Sequence, residues 1–221
     1  MTRHLDREIG RLKEAVLNLS ALVEESVYRA IRAVEDGDAE LAKQVIEEDA
    51  IIDQREVLVE EECLKIFALY QPVAIDLRFL VAILKLNSDL ERIGDLAGNI
   101  ASRAKGLAGL PRPSGIIDFA PMFAAAKSML RGSLESLVEL DTKKALEVIR
   151  SDEALDEANR ANYREVKSLI RAYPADLDAL LHYLSVSRYL ERIGDHCTNI
   201  AEDVLYMMEG KIVRHRLDEG W

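Results

Sequence analysis

The chain has 221 residues, with 40 acids against 29 bases and a formal net charge of −11. So acidic a balance disfavours a phosphate-backbone binder, which needs a basic face, so no nucleic-acid partner is expected and an anionic membrane surface is also disfavoured. Aromatic residues are 5% of the total while Leu, Ala, Glu, Arg and Ile are abundant, which favours helix over strand.

The opening MTRHLDREIGRLKEAV has no apolar run of the signal-peptide kind and reads directly as helix. Leu5, Ile9, Leu12, Val16, Leu19, Val23, Val27, Ala30 and Val34 follow steps of three and four, so one stripe runs along some thirty residues. Gly37 is expected to end this helix, and Asp38 to cap a second from about 38 to 70. Proline at 72 breaks the hydrogen-bond ladder, and a third helix is expected from about 73 to 105. Residues 106–121 hold three of the eleven glycines and three of the five prolines, the composition of a linker. Three further helices are expected at about 119–140, 142–172 and 175–209, with Asp141 and Pro174 as the breaks.

The second three helices repeat the first. LERIGDLAGNIA at 90–101 returns as LERIGDHCTNIA at 190–201, identical at nine of twelve positions. DAELAKQVIEEDAIID at 38–53 aligns with DTKKALEVIRSDEALD at 141–156 at six of sixteen, an offset of 103 rather than 100. The expected fold is all-α: two tandem, pseudo-symmetric, antiparallel three-helix bundles, residues 1–105 and 119–210, joined by a Pro/Gly-rich linker at 106–118. Each half is long enough to bury its own core. Cys63 and Cys197 fall in different halves with no Cys-x-x-Cys pair, which points to a reducing, cytoplasmic setting. The longest uninterrupted apolar stretch, FLVAIL at 79–84, is far short of a membrane span.

On a helical wheel Leu86, Leu90, Ile93, Ala97, Ile100 and Ala104 form a core stripe, repeated by Val186, Leu190, Ile193, Cys197, Ile200 and Val204. Glu91, Asp95 and Asn99 fall on the opposite face with Ser88 and Ser102, and Arg188, Glu191, Asp195, Asn199 and Glu202 do so in the second half. Gly94 and Gly194 lie beside the core stripe, where a missing side chain admits a neighbouring helix. Two carboxylates at i and i+4 share a face and repel. The same spacing recurs in the middle helices as Asp49/Asp53 and Asp152/Asp156. With middle and last helices side by side, four carboxylates converge in each half, an all-oxygen set suited to hard cations. The competing reading is solvated surface, the usual fate of acid pairs on an outer face. Recurrence at matched places in both halves raises the cation site to equal standing with that reading. Arg92 and Arg192 are expected to bridge to neighbouring helices and hold their register.

Histidine is scarce. His182 falls toward the core side and is expected to be a satisfied, partly buried side chain, while His196 lies off the acid face. The absence of Glu-x-x-His disfavours a ferritin-like di-iron site, and no Walker A or Gly-x-Gly-x-x-Gly pattern occurs. No nucleophile–base pairing stands out. Cys197 reads as a small buried apolar residue.

The doubled ERIGD…NIA signature and the Asp-x-x-x-Asp of each middle helix make the chain closely resemble the PhoU family of bacterial phosphate-uptake regulators, over essentially its whole length. The resemblance implies a cytoplasmic, non-enzymatic negative regulator of the phosphate-starvation regulon. It implies a homodimeric adaptor between the ATPase subunit of the phosphate ABC importer and the phosphate-sensing histidine kinase, without direct membrane insertion. It further implies multinuclear clusters of iron, or of zinc, manganese or magnesium, on Asp49, Asp53, Glu91 and Asp95, and on Asp152, Asp156, Glu191 and Asp195. Asn99 and Asn199, one turn on, are positioned to complete a ligand shell or to bridge helices. Two other classes compete. An all-helical metal-dependent phosphohydrolase would use the same carboxylates on Mg²⁺, but such enzymes space their acids at i, i+3 rather than i, i+4. A purely structural scaffold would have no use for a repeated polar face.

Overall fold

A computed structural model describes residues 2–114 and 118–210. Within them lie six helices: α1 (Thr2–Asp36), α2 (Ala39–Tyr70), α3 (Ala74–Ala108), α4 (Ala120–Glu139), α5 (Thr142–Ala172) and α6 (Leu177–Glu209). A single 3-10 turn at Pro174–Asp176 precedes α6, and no strand occurs among the described residues. None of these helices is long and apolar enough to cross a membrane.

The breaks follow from local chemistry. Gly37 takes a φ of 68°, a left-handed conformation that a side chain would strain. Asp38 then accepts hydrogen bonds from the amides of Glu40 and Leu41 at 3.0 and 2.9 Å, which satisfies two of the free donors at the start of α2. Asp141 repeats this on α5 with the amides of Lys143 and Lys144 at 2.8 and 3.2 Å. α3 also ends at a glycine, but at its C-cap Gly109 rather than before Gly106. The helix continues through Gly106 to Ala108, so the first three residues of the expected linker are helical. Gly106 serves packing instead: a Cβ there would lie 2.7 Å from Cε1 of the His182 ring.

The fold is all-α, two three-helix units in tandem. α1 lies across α2 and α3, α4 lies across α5 and α6, and α3 packs on α6 as extensively as on α2. The helices therefore run α2–α3–α6–α5 in one layer, with α1 and α4 behind it and touching each other. The stripe expected along α1 is buried from Leu12 to Val34, and both core stripes of α3 and α6 are fully buried. The halves do not keep separate cores. Their buried side chains form one contiguous cluster, because the stripes of α3 and α6 face each other as well as their own bundles.

Polar links cross the same seam. His196 Nδ1 on α6 lies 2.8 Å from Asp89 Oδ1 on α3, and Asn199 Nδ2 donates to the same oxygen at 3.1 Å. Lys85 on α3 reaches Asp203 on α6 at 3.4 Å and lies over the Tyr206 ring. Arg92, expected to bridge helices, pairs instead with Glu91 and Asp95 of its own helix at 3.4 and 3.3 Å. An i, i+3 partner is within reach without crossing a groove.

Candidate metal centre

The duplicated glycines position the site. A Cβ on Gly94 would sit 3.0 Å from Ile52 Cγ2, and one on Gly98 would sit 3.5 Å from Asp49 Oδ2. In the second half a Cβ on Gly194 would overlap Leu155 Cδ2 and lie 3.5 Å from Asp152 Oδ1. Each bare glycine edge lets the last helix close onto the middle helix at its first aspartate. Asp49 and Asp152 are thereby held half-buried, and Oδ1 of each makes no hydrogen bond among the described residues. A buried carboxylate oxygen without a donor is costly, and a cation is the partner that would satisfy it.

The other predicted residues gather around these two. In the first half, oxygen atoms of Asp49, Asp53 and Asp95 lie within 4.8 Å of one another. Burial raises the Asp49 carboxyl above the ordinary aspartate range, and the charges of Asp53 and Asp95 raise it further. Glu91 is raised by burial and then by Asp95, with Asp53 contributing and Arg92 opposing. In the second half, burial and the charges of Asp156 and Asp195 push Asp152 up to about 6, although the Thr198 hydroxyl eases its charge somewhat. Glu191 is raised by burial, Asp195 and Asp156, and Asp195 by burial and Asp156. Each set of four thus forms one electrostatic group. Glu91 and Glu191 are half-buried at the α2–α3 and α5–α6 grooves, not on a solvated outer face.

The halves are not identical. Glu56 joins the first group, a residue the motif spacing passed over because it lies three beyond Asp53 rather than four. Burial, Glu60 and Asp53 raise its carboxyl, and Asn87 donates to its Oε1 at 2.8 Å. The corresponding contact in the second half joins Ser187 Oγ to Asn159 Oδ1 at 2.8 Å, so the fifth carboxylate is absent there. Arg160, which stands where the first half has Val57, reaches Asp156 at 3.7 Å. Each group therefore has a cationic neighbour on a different acid, Arg92 beside Glu91 and Asp95 in the first half and Arg160 beside Asp156 in the second.

Of the roles open to the asparagines, Asn199 takes the one that bridges helices, and the histidines keep their expected places. Asn199 is engaged by Asp89 across the α3–α6 seam, and Asn99 is exposed. His196 is indeed off the acid groove, but it has a partner that the motifs did not indicate, Asp89. His182 is partly buried as expected, yet its Nδ1 has no hydrogen-bond partner among the described residues. Cys63 and Cys197 are buried and free, and burial pushes both thiols up to about 12, which leaves no nucleophilic thiolate near neutral pH.

A family model for the PhoU domain matches the chain twice, at residues 16–104 and 119–204. The chain belongs to the PhoU family. Its two PhoU domains correspond to the two three-helix units and carry one carboxylate group each. A phosphate-specific transport system accessory protein PhoU homolog of Aquifex aeolicus is 39% identical over 96% of each chain. A homolog of the same description from Pseudomonas aeruginosa is 36% identical over 97% of this chain and 91% of its own. The crystal structure of PhoU from Pseudomonas aeruginosa superposes with a TM-score of 0.90 at 35% identity, covering 93% of this chain and 99% of that one. The phosphate transport system regulatory protein PhoU from Streptococcus pneumoniae gives a TM-score of 0.86 at 29% identity, over 95% and 99%.

Proposed function

We propose that this chain is an accessory, regulatory protein of a phosphate-specific transport system that works by holding cations and binding partners rather than by turnover. The observation that carries this reading is the pair of matched carboxylate groups on a PhoU fold, each with an orphaned buried aspartate oxygen. Asp49, Asp53, Glu91 and Asp95 would hold metal in the first half, with Glu56 beside them. Asp152, Asp156, Glu191 and Asp195 would do so in the second. All are hard oxygen donors, suited to iron in its oxidised form, manganese or magnesium, with zinc a softer fit. A bound cation would supply charge neutralisation, offsetting the mutual repulsion of the acids and holding α2 to α3 and α5 to α6.

In the finer reading the protein acts in the cytoplasm as a homodimer and represses phosphate-starvation genes. It links the ATPase subunit of the phosphate importer to the phosphate-sensing histidine kinase. The names of its relatives support the accessory role in phosphate transport. The metal-dependent phosphohydrolase is not favoured, since the eight motif acids keep the i, i+4 spacing and the relatives are named as transport accessory proteins. A deletion strain grown in ample phosphate tests the regulatory reading. Starvation-gene reporters should rise, and the wild-type gene should restore repression. The purified protein reconstituted with iron, manganese or magnesium should show no turnover of nucleotides or phosphoesters. Unchanged reporters, or turnover abolished by Asp95→Asn with Asp195→Asn, would reject the proposal.

A further inference from the structure

Helices α2 and α5 occupy equivalent places at the two edges of the layer, yet their outer faces carry opposite chemistry. The correspondence is structural: Ile52 meets Gly94 where Leu155 meets Gly194, and Glu56 meets Asn87 where Asn159 meets Ser187. At the same offset Val57 stands opposite Arg160, Glu60 opposite Tyr163, Glu61 opposite Arg164 and Leu64 opposite Lys167. Helix α2 carries nine acids and three bases, against six acids and seven bases on α5.

On α2, Val57 and Leu64 lie two turns apart and Ile46 three turns earlier, all within about 20° of one another at 100° per residue, so they form one ridge along the helix that Asp53 interrupts between Ile46 and Val57. Val57 is 48% exposed and Leu64 53%. Glu60 and Glu61 flank the ridge and are themselves exposed. Three large aliphatic side chains in line on a solvated helix, rimmed by acids, are the mark of a surface that another protein covers.

We infer that this ridge is a docking surface for another protein, one presenting an apolar helix face flanked by Lys or Arg. Charge complementarity selects that occupant. Two copies of α2 would set Glu60 and Glu61 against each other. The α5 face of a second copy lacks the aliphatic ridge, and its Arg160 and Arg164 are already engaged by Glu153 and Glu157 at 2.6 to 2.9 Å. Anionic lipid and nucleic acid are repelled by the same acids. The ridge borders the first carboxylate group, since Asp53 falls about 20° from Ile46 and the Glu60 charge acts on Glu56, but the inference rests on exposure and charge and needs no bound metal.

A photo-crosslinking amino acid placed at position 64 of the full chain in cells, and at position 167 as the matched control, tests it. The segment captured at 64 should belong to another protein and show apolar residues at helical spacing with Lys or Arg beside them. A synthetic peptide of that segment should bind the purified chain. Val57→Ser with Leu64→Ser should weaken that binding about tenfold or more, and Glu60→Gln with Glu61→Gln should weaken it and flatten its salt dependence. Arg160→Ala with Lys167→Ala should leave it unchanged. All six sites are on the surface, so circular dichroism should show an intact fold. Capture of a second copy of this chain, of an acidic or uncharged segment, or of no protein beyond the position-167 control would overturn the inference. So would equal binding by the serine variant, or binding of wild type to phosphatidylcholine vesicles that Val57→Ser with Leu64→Ser abolishes.

Discussion

Asp89 on α3 and His196 on α6 meet at 2.8 Å across the seam between the two halves, and Asn199 donates to the same carboxylate oxygen at 3.1 Å. Both side chains of the Asp89–His196 pair are mostly buried, at 12% and 18% exposure. Together with Lys85–Asp203 this contact ties the duplicated units into one body.

Asp89→Ala should therefore destabilise the whole chain, not one half. Two partly buried groups would lose their acceptor, at a cost of about 1–3 kcal/mol. Urea unfolding followed by circular dichroism should give a lower midpoint and still a single transition. Two separated transitions in the wild type would contradict the shared core.

The glycine contacts give a graded prediction. An added methyl at Gly194 overlaps Leu155, which is fully buried, whereas at Gly94 it meets Ile52 at 3.0 Å. Overpacking of this kind costs about 1–3 kcal/mol, while the better helix propensity of alanine returns about 1. Gly194→Ala should lower the melting temperature clearly and Gly94→Ala little. Because Asp152 lies on the same contact, Gly194→Ala should also weaken Mn²⁺ binding in the second half by titration calorimetry.

Stability should depend on pH in a direction set by the raised carboxylates. Asp152 is lifted from the ordinary aspartate range to about 6, so between those two values the folded chain binds more protons than the unfolded one. Stability of the metal-free protein should be intact below pH 4 on this account and fall as pH rises toward 6. Asp152→Asn should remove that loss and stabilise the metal-free protein near neutral pH by about 1 kcal/mol, discounted for solvent screening. That is about 2–4 °C in melting temperature for a chain of this size. Mn²⁺ should reverse the trend for wild type, since a cation favours the charged forms, and should do so less for the variant.

Glu56 separates the two cation groups. Glu56→Asn should weaken Mn²⁺ binding in the first half by about tenfold and leave the second half unaffected, as loss of a residue bordering a metal site does. Two-site calorimetric titrations of wild type, Glu56→Asn and Asp195→Asn assign the sites. Equal weakening at both would show that the halves do not bind independently.

Much of this was legible in the sequence because a duplicated amphipathic pattern constrains helices strongly. The periodic stripes, the Asp38 and Asp141 caps and the break at Pro72 placed the helix ends to within a few residues, since each is a local property of the backbone. The exception was the end of α3, where the linker composition begins at Gly106 but the helix runs on to Ala108 with Gly106 against the His182 ring. The eight carboxylates were readable for a related reason: i, i+4 spacing on a helix fixes which side chains share a face.

What the sequence by itself determined were the six helices, their duplication and the sets of acids on common faces, all consequences of helical period and local hydrogen bonding. Tertiary structure decided what those faces meet. It turned the Glu91 and Glu191 faces into half-buried grooves, added Glu56 to one group and left Asn159 in the other, and brought Arg160 to Asp156. It also joined α3 to α6 through Asp89 and His196, residues 107 positions apart. Such pairings depend on how closely helices approach, and that distance is set by glycines and core side chains on both partners at once. A wheel drawn for one helix holds no record of its neighbour.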